Sequence, residues 1–140
     1  KGHDGFLGNS IVGEWCNLGA DTNTSNLKNN YANVKTYSYE SKSEIKTDIQ
    51  FMGLCMGDYS KSGINTMFNT ASVIGVSCNV FGSGFPAKHI PSFSWVNTLD
   101  IVTFDLGKAI TSANNMMTRR NLELNQHDKD IFSHLSNSKT

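Results

Sequence analysis

A period of six residues, with an apolar side chain at its first place and a small one at its fifth, predicts a mainly β protein wound as a parallel β-helix. Two further observations complete that prediction. An asparagine- and charge-rich stretch interrupts the period over about residues 24–50, which predicts a loop protruding from the coil. Apolar residues then recur at helical spacing from Leu106 onward, which predicts a C-terminal helical extension.

The repeat units are VGEWCN and LGADTN, then, after the interruption, MGDYSK, SGINTM, FNTASV, IGVSCN and VFGSGF. First places hold Val12, Leu18, Met56, Ser62, Phe68, Ile74 and Val80, and fifth places hold Cys16, Thr22, Ser60, Thr66, Ser72, Cys78 and Gly84. Six matches neither the 3.6 residues of a helical turn nor the alternation of a plain strand. It suits a short strand followed by a turn, repeated on three sides of a triangle. The first-place side chain is expected to fill the interior, and the fifth to point inward near a corner. The glycine at the second place, or Asn69, is expected to serve the turn, since these residues accept left-handed backbone at little cost. Such a repeat specifies a fold rather than an activity, because β-helices also act as spacers.

The domain reading places the coil at 1–95, with its excursion, and an extended segment plus helices at 96–140. The excursion is expected to carry Asn26, Lys28, Tyr31 and Lys35 at a surface, either as a functional loop or as a solvated insertion. The repeat is expected to stop after residue 85, with PAKHIPSFSW leaving the coil irregularly. TLDIVTFDL predicts a short strand or an extended wrap. A first helix starts at Leu106 behind an Asp105 cap, with Ala109, Ile110, Ala113, Met116 and Met117 on one face. A second is expected over 128–135, capped by Asn125, with Ile131, Phe132 and Leu135 inward. These helices are expected to cover an open end or flank of the coil, and the tail SNSKT to fray.

Composition narrows the function. The 140 residues carry no net charge, with 17% charged and 38% hydrophobic side chains and a pI near 7.1. That balance gives no electrostatic reason for nucleic acid or an anionic membrane as partner. No apolar run approaches the roughly 20 residues of a membrane span, and no secretory signal is visible, so the expected compartment is the cytoplasm. The first residue is Lys1, which predicts a piece of a longer chain. Cys16, Cys55 and Cys78 are too widely spaced for a metal motif and read as buried, reduced thiols. The four histidines, His3, His89, His127 and His134, form no ligand pattern, so no metal is expected. Phosphate-loop, dinucleotide and serine-elbow motifs are missing. From spacing alone, His3 reads more readily as structural than as catalytic. Lys88 and His89 read as a cationic pair for phosphate or as a solvated basic pair.

The stretch GHDGFLGNSIVGEWCNLGADTNTSNLKNNYANVKT resembles the acetyltransferase domain of the bifunctional enzymes that make UDP-N-acetylglucosamine. The resemblance rests on Gly2–His3, Leu7–Gly8, Val12–Gly13, Leu18–Gly19–Ala20, Thr22, Asn26 and Lys35, and includes the five-residue step from Leu7 to Val12. It covers residues 2 to about 95. The wording FMGLCMGDYSKSGINTMFNT and FGSGFPAKHIPSFSW is similar to a divergent, Bacteroidetes-like group of sugar nucleotidyltransferase–acetyltransferase proteins. It implies a left-handed β-helix, a homotrimer, and an N-terminal nucleotidyltransferase domain upstream. It also implies transfer of acetyl from acetyl-CoA, as co-substrate, to an amino sugar phosphate, glucosamine 1-phosphate foremost. His3 then corresponds to the general base, Asn26 to a ligand of the sugar and acetyl end, and Lys35 to a contact near the sugar phosphate. Lys88 and His89 correspond to CoA phosphate contacts, and Ser60 and Gly63 to the wall of a CoA groove.

Two departures stand out. Phe6 occupies the place of a tyrosine near the sugar, where it is read as substrate-binding, and Leu27 that of the tyrosine of an Asn-Tyr pair. These departures keep two rival readings open. One is a non-catalytic β-helix that trimerises or regulates a sugar-1-phosphate nucleotidyltransferase. The other is an acyltransferase with a different acceptor.

Overall fold

The computed structural model describes residues 3–98 and 100–138. The chain visits three sheets in rotation. A first circuit runs β1 (Gly5–Phe6), β2 (Ile11–Val12) and β3 (Asn17–Leu18). A second begins with β4 (Thr22–Thr24), leaves the coil as the hairpin β5 (Lys35–Ser38) and β6 (Ser43–Lys46), and resumes with β7 (Leu54–Met56) and β8 (Lys61–Ser62). A third runs β9 (Met67–Phe68), β10 (Ser72–Ile74) and β11 (Asn79–Val80). A partial fourth holds β12 (His89–Ile90) and β13 (Ser94–Val96), and β14 (Ile101–Thr103) folds back on β13. The sheets run β1-β4-β9, β2-β7-β10-β12 and β3-β8-β11-β13-β14, parallel throughout except for β13 with β14. The chain is thus mostly β with parallel sheets and two helices, in an order consistent with a β-helix.

The interior follows the first and fifth places of the repeat. Leu54, Met56, Phe68, Ile74, Cys78, Val80, Ile90 and Val96 form one buried cluster, with Val12, Cys16 and Leu18 against it. Each large apolar member removed from water stabilises the coil by about 1.5–3 kcal/mol. Fifth-place hydroxyls also tie successive circuits together. Ser60 Oγ donates to Gly75 O at 2.7 Å and accepts from Cys78 N at 2.9 Å. The three thiols are free, and burial pushes the Cys78 thiol up to about 11.

Three expectations are corrected. The left-handed turn residue is the fourth of each unit and not the second. Trp15, Asp21, Tyr59, Asn65, Ala71 and Ser77 all have φ between 55° and 61°. The second-place glycine answers a different demand, the close approach of the next circuit. A Cβ on Gly57 would lie 2.8 Å from the Gly75 carbonyl carbon, closer than packed atoms tolerate. Second, VFGSGF is not a coil side. Residues 81–85 form an exposed loop, and Gly84 faces open space. Third, the repeat does not end at 85. IPSFSW is another unit, with Ile90 buried first, Phe93 left-handed fourth at φ 55° and Ser94 buried fifth.

Two helices follow, α1 (Leu106–Thr118) and α2 (Gln126–Asn137). Asp105 caps α1 by accepting from Lys108 N, and Asn125 with Asp128 forms a full capping box on α2. Helix α2 is longer than expected at both ends, so Ser136 and Asn137 are helical rather than frayed. Lys139 and Thr140, like Gly2 and Leu99, lie outside the described residues. The helices cover a flank. The turn residues between the second and third sheets include Trp15, Tyr59 and Phe93, and these meet Ala109, Ala113, Met117 and Phe132. The Phe132 ring stands edge-on to Tyr59 at 5.0 Å and to Phe93 at 5.5 Å. Among the described residues no helix is long and apolar enough to cross a membrane.

Gly57→Ala is expected to lower stability by about 1–3 kcal/mol, because the circuits must part to admit the methyl group. Urea unfolding of the variant against the parent chain measures it.

Candidate functional site

The corner where the first sheet passes to the second gathers three of the residues singled out in the sequence or beside them. β1 ends at Phe6, and the chain turns at Asn9, which is left-handed at φ 48°. Asn26 follows β4 and donates from Nδ2 to Asn9 Oδ1 at 2.7 Å. Gly8 leaves room for this arrangement, since a Cβ there would lie 2.5 Å from Phe6 Cζ and 2.9 Å from Asn26 Nδ2. The returning limb of the excursion fixes the pair from behind. Met52 N donates to Asn26 O at 3.0 Å, Gly53 N donates to Asn9 O at 2.8 Å, and Leu27 bridges Phe51.

The result is a polar notch beside the half-exposed Phe6 ring. A carboxamide carries two N–H donors, so Asn26 retains one for a ligand and Asn9 retains both. An aromatic face next to amide donors suits a sugar, whose ring has apolar faces and a hydroxyl rim. His3 is exposed at the start of the same circuit, and the residue after it, Asp4, accepts from Asp21 N at 2.8 Å. Asn9 was missed in the sequence because nothing but its left-handed turn distinguishes it. Among the described residues, no three His, Cys, Asp or Glu side chains are placed to hold a metal ion.

Lys35, on the hairpin, forms a second group with Lys88 and His89 at the start of β12. Lys88 Nζ donates to Lys35 O at 2.6 Å and pairs with Glu44 at 3.3 Å. The His89 ring stacks on Tyr37 at 3.4 Å and 6°, and Tyr39 stands edge-on to both. His89 Nε2 is buried without a hydrogen-bond partner among the described residues, and burial lowers the imidazole pKa. Lys88 and His89 therefore act here as a clamp that holds the hairpin against the second sheet, and Lys35 shares in it through its carbonyl. The alternating aromatics of YSYE, which make this contact, stand in the charged half of the excursion, where only their spacing could have marked them.

Ser60 and Gly63, expected to line a groove wall, lie in the coil at the second circuit. The Ser60 side chain is fully buried, and its hydroxyl is committed to Gly75 and Cys78, so it has no atom to offer a cofactor. Gly63 sits at the corner between the third and first sheets, with its carbonyl accepting from Thr66 Oγ1 at 2.9 Å.

No protein-family model matches the chain. The bifunctional protein GlmU of Methanocaldococcus jannaschii is 32% identical to it over 102 residues, which is 73% of this chain. The chain spans about a quarter of that protein's length, 24%.

The clamp has a pH dependence of definite sign. The folded pKa of His89 lies below its unfolded value near 6.5, so the unfolded chain binds more protons between the two. The contribution of the clamp is complete above about pH 6.5 and is lost as pH falls through the interval below it. Thermal melts from pH 8 to pH 5 should show the midpoint falling over that interval. His89→Phe, which keeps a ring on Tyr37 and removes the titration, should flatten the profile.

Proposed function

We propose that the chain is the acyltransferase part of a GlmU-like enzyme, moving acetyl from acetyl-CoA to the amine of an amino sugar phosphate, with glucosamine 1-phosphate as the acceptor. The observation that carries this is the notch of Phe6, Asn9 and Asn26 on the first circuits, with the exposed His3 at the start of the same circuit. The similarity to bifunctional GlmU supports it. In this reading the coil is a left-handed β-helix, its hand supplied by the family resemblance. The coil assembles as a homotrimer in the cytoplasm and follows a nucleotidyltransferase domain. The exposed Phe6, Ile11 and Met67 on the outer sides of the coil support association with further copies.

The chemistry is a direct transfer. The amine nitrogen attacks the thioester carbonyl, forming the C–N bond. His3 takes the proton released from that nitrogen, which an imidazole does well near neutral pH. The tetrahedral adduct expels CoA as the C–S bond breaks, and the thiolate takes up a proton. Backbone amides of the coil stabilise the oxyanion. The Asn26 and Asn9 amides hold the sugar, Phe6 lies against its ring, and Lys35 meets its phosphate. Phosphates of CoA that reach Lys88 must displace Glu44 from it.

The second reading is a non-catalytic coil that trimerises or regulates a sugar-1-phosphate nucleotidyltransferase. Phe6 and Leu27, in the places of two tyrosines, favour it. A third, an acyltransferase with another acceptor, is decided by assaying thiol release with a panel of amino sugar phosphates.

His3→Ala is expected to lower acetyl transfer by about 10²–10⁴-fold, the usual range for loss of a general base, while the oligomer elutes unchanged from a sizing column. Unaltered turnover in that variant would remove His3 from the mechanism. Thiol release from acetyl-CoA in the presence of glucosamine 1-phosphate separates the first two readings, because a pure scaffold gives no turnover.

A further inference from the structure

The third sheet and the C-terminal end of α1 enclose a cleft of about 620 Å³ whose charged lining is entirely basic: Lys61, Arg119 and Arg120. The cleft arises from two features of the chain. Lys61 is the sixth residue of its unit, so its side chain leaves the outer side of the coil, next to Asn17 on the neighbouring strand. Helix α1 docks on the adjoining corner and ends there, with Arg119 as its C-cap residue.

Lys61 is the informative member. Its ammonium group donates to Tyr59 O and to Ser112 Oγ, each at 3.3 Å, and both acceptors are neutral. Among the described residues neither Lys61, Arg119 nor Arg120 meets a carboxylate, and the ion pair that does form, Lys88 with Glu44, lies on the hairpin. Burial lowers the Lys61 pKa, as it does for a cation that has lost water without gaining a counter-charge. Cys16 lines the same cleft, but burial raises its pKa, so it stays a neutral thiol there. A half-buried cation costs stability unless something of opposite charge completes it. Arg119 and Arg120 are exposed, and planar guanidinium groups bind phosphate oxygens in pairs. Trp15 and Met116 supply an apolar wall, and the Trp15 ring is backed by the cluster under the helices.

We propose that this cleft binds a ligand bearing a diphosphate, free or as part of a nucleotide, with the phosphates on Lys61, Arg119 and Arg120 and any adjoining base or chain against Trp15 and Met116. It lies at the corner between the second and third sheets, whereas the Asn9–Asn26 notch lies between the first and second. The proposal stands whether or not His3 acts as a base.

The test is calorimetric titration of the intact chain with pyrophosphate and, separately, with ADP at low ionic strength. Binding is expected for both, weakened by added salt, as a partly exposed ion contact must be. Equal affinity assigns recognition to the phosphates alone, and tighter ADP binding adds the Trp15–Met116 wall. Either result upholds the site. Lys61→Met keeps the apolar stem and removes the charge, and should weaken binding at least about tenfold, the loss of one charge-assisted hydrogen bond. Arg119→Gln with Arg120→Gln, at exposed positions, should weaken it comparably without altering the melting midpoint. Failure of both ligands to bind the parent chain overturns the proposal. So does unchanged affinity in a double arginine variant that melts like the parent.

Discussion

The backbone of each circuit is hydrogen-bonded to the next at fixed places in the repeat, and most of the structure follows from keeping those bonds. Gly13 N donates to Met56 O, Gly57 N to Ile74 O and Gly75 N to Ile90 O, each at 2.8 Å. Gly19, Gly63 and Phe81 repeat the same bond on the third sheet. Strands of two or three residues have no stability of their own, and a net hydrogen bond contributes only about 0.5–1.5 kcal/mol. The ladder survives because every circuit places its first residue over the same interior column, where Val12, Met56, Ile74 and Ile90 stack on one side. Interior stacking and ladder are thus one cooperative unit, and a side chain that forces two circuits apart weakens both together.

Turning onto the next sheet every six residues also puts a left-handed residue at each corner. For a non-glycine residue this conformation costs on the order of 1–2 kcal/mol. The sequence offsets that cost where the corner can be used. Between the second and third sheets the corner residues are Trp15, Tyr59, Ser77 and Phe93, and a left-handed turn presents their side chains outward along one edge. Three aromatic rings on one edge make an apolar strip, and α1 and α2 bury it. The helical extension is therefore a consequence of how this corner is furnished. The basic cleft follows in turn, because docking on that edge brings the end of α1 beside Lys61.

The interior register was legible because a column of stacked side chains demands fixed sizes, and size is what the letters at the first and fifth places report. The corner conformation was not legible. Its residues range from Ala71 to Trp15, since closure of the chain sets their backbone and their side chains do not. The unit at Ile90 was missed for a related reason. The exposed loop after Phe81 replaces one side of the triangle, so Val80 and Ile90 stand ten residues apart and the period loses its phase. In the candidate site, Asn26 was marked by its motif, but Asn9 was not. The pairing of Lys88 with Glu44 spans 44 residues and leaves no local trace. Two lysines with equally plain surroundings in the sequence, Lys61 and Lys88, differ only in what the fold brings to them: neutral acceptors for one, a carboxylate for the other.

The excursion links the hairpin clamp to the polar notch. It leaves the coil through Ser25 and Asn26 and returns through Phe51, Met52 and Gly53, so the notch is built from both of its roots. The hairpin beyond is held to the coil by Thr36 Oγ1 on Ala71 O, by the Lys88–Glu44 pair and by the stacking of Tyr37 on His89. Hairpin strands of this length are marginal alone, so their order depends on that docking. Protonation of His89 places a charge on a ring whose Nε2 is buried without a partner among the described residues, and so acts against the stack. The notch and the clamp thus share one excursion: its roots, at Asn26 and at Met52 and Gly53, build the notch, and its hairpin is the part that His89 holds.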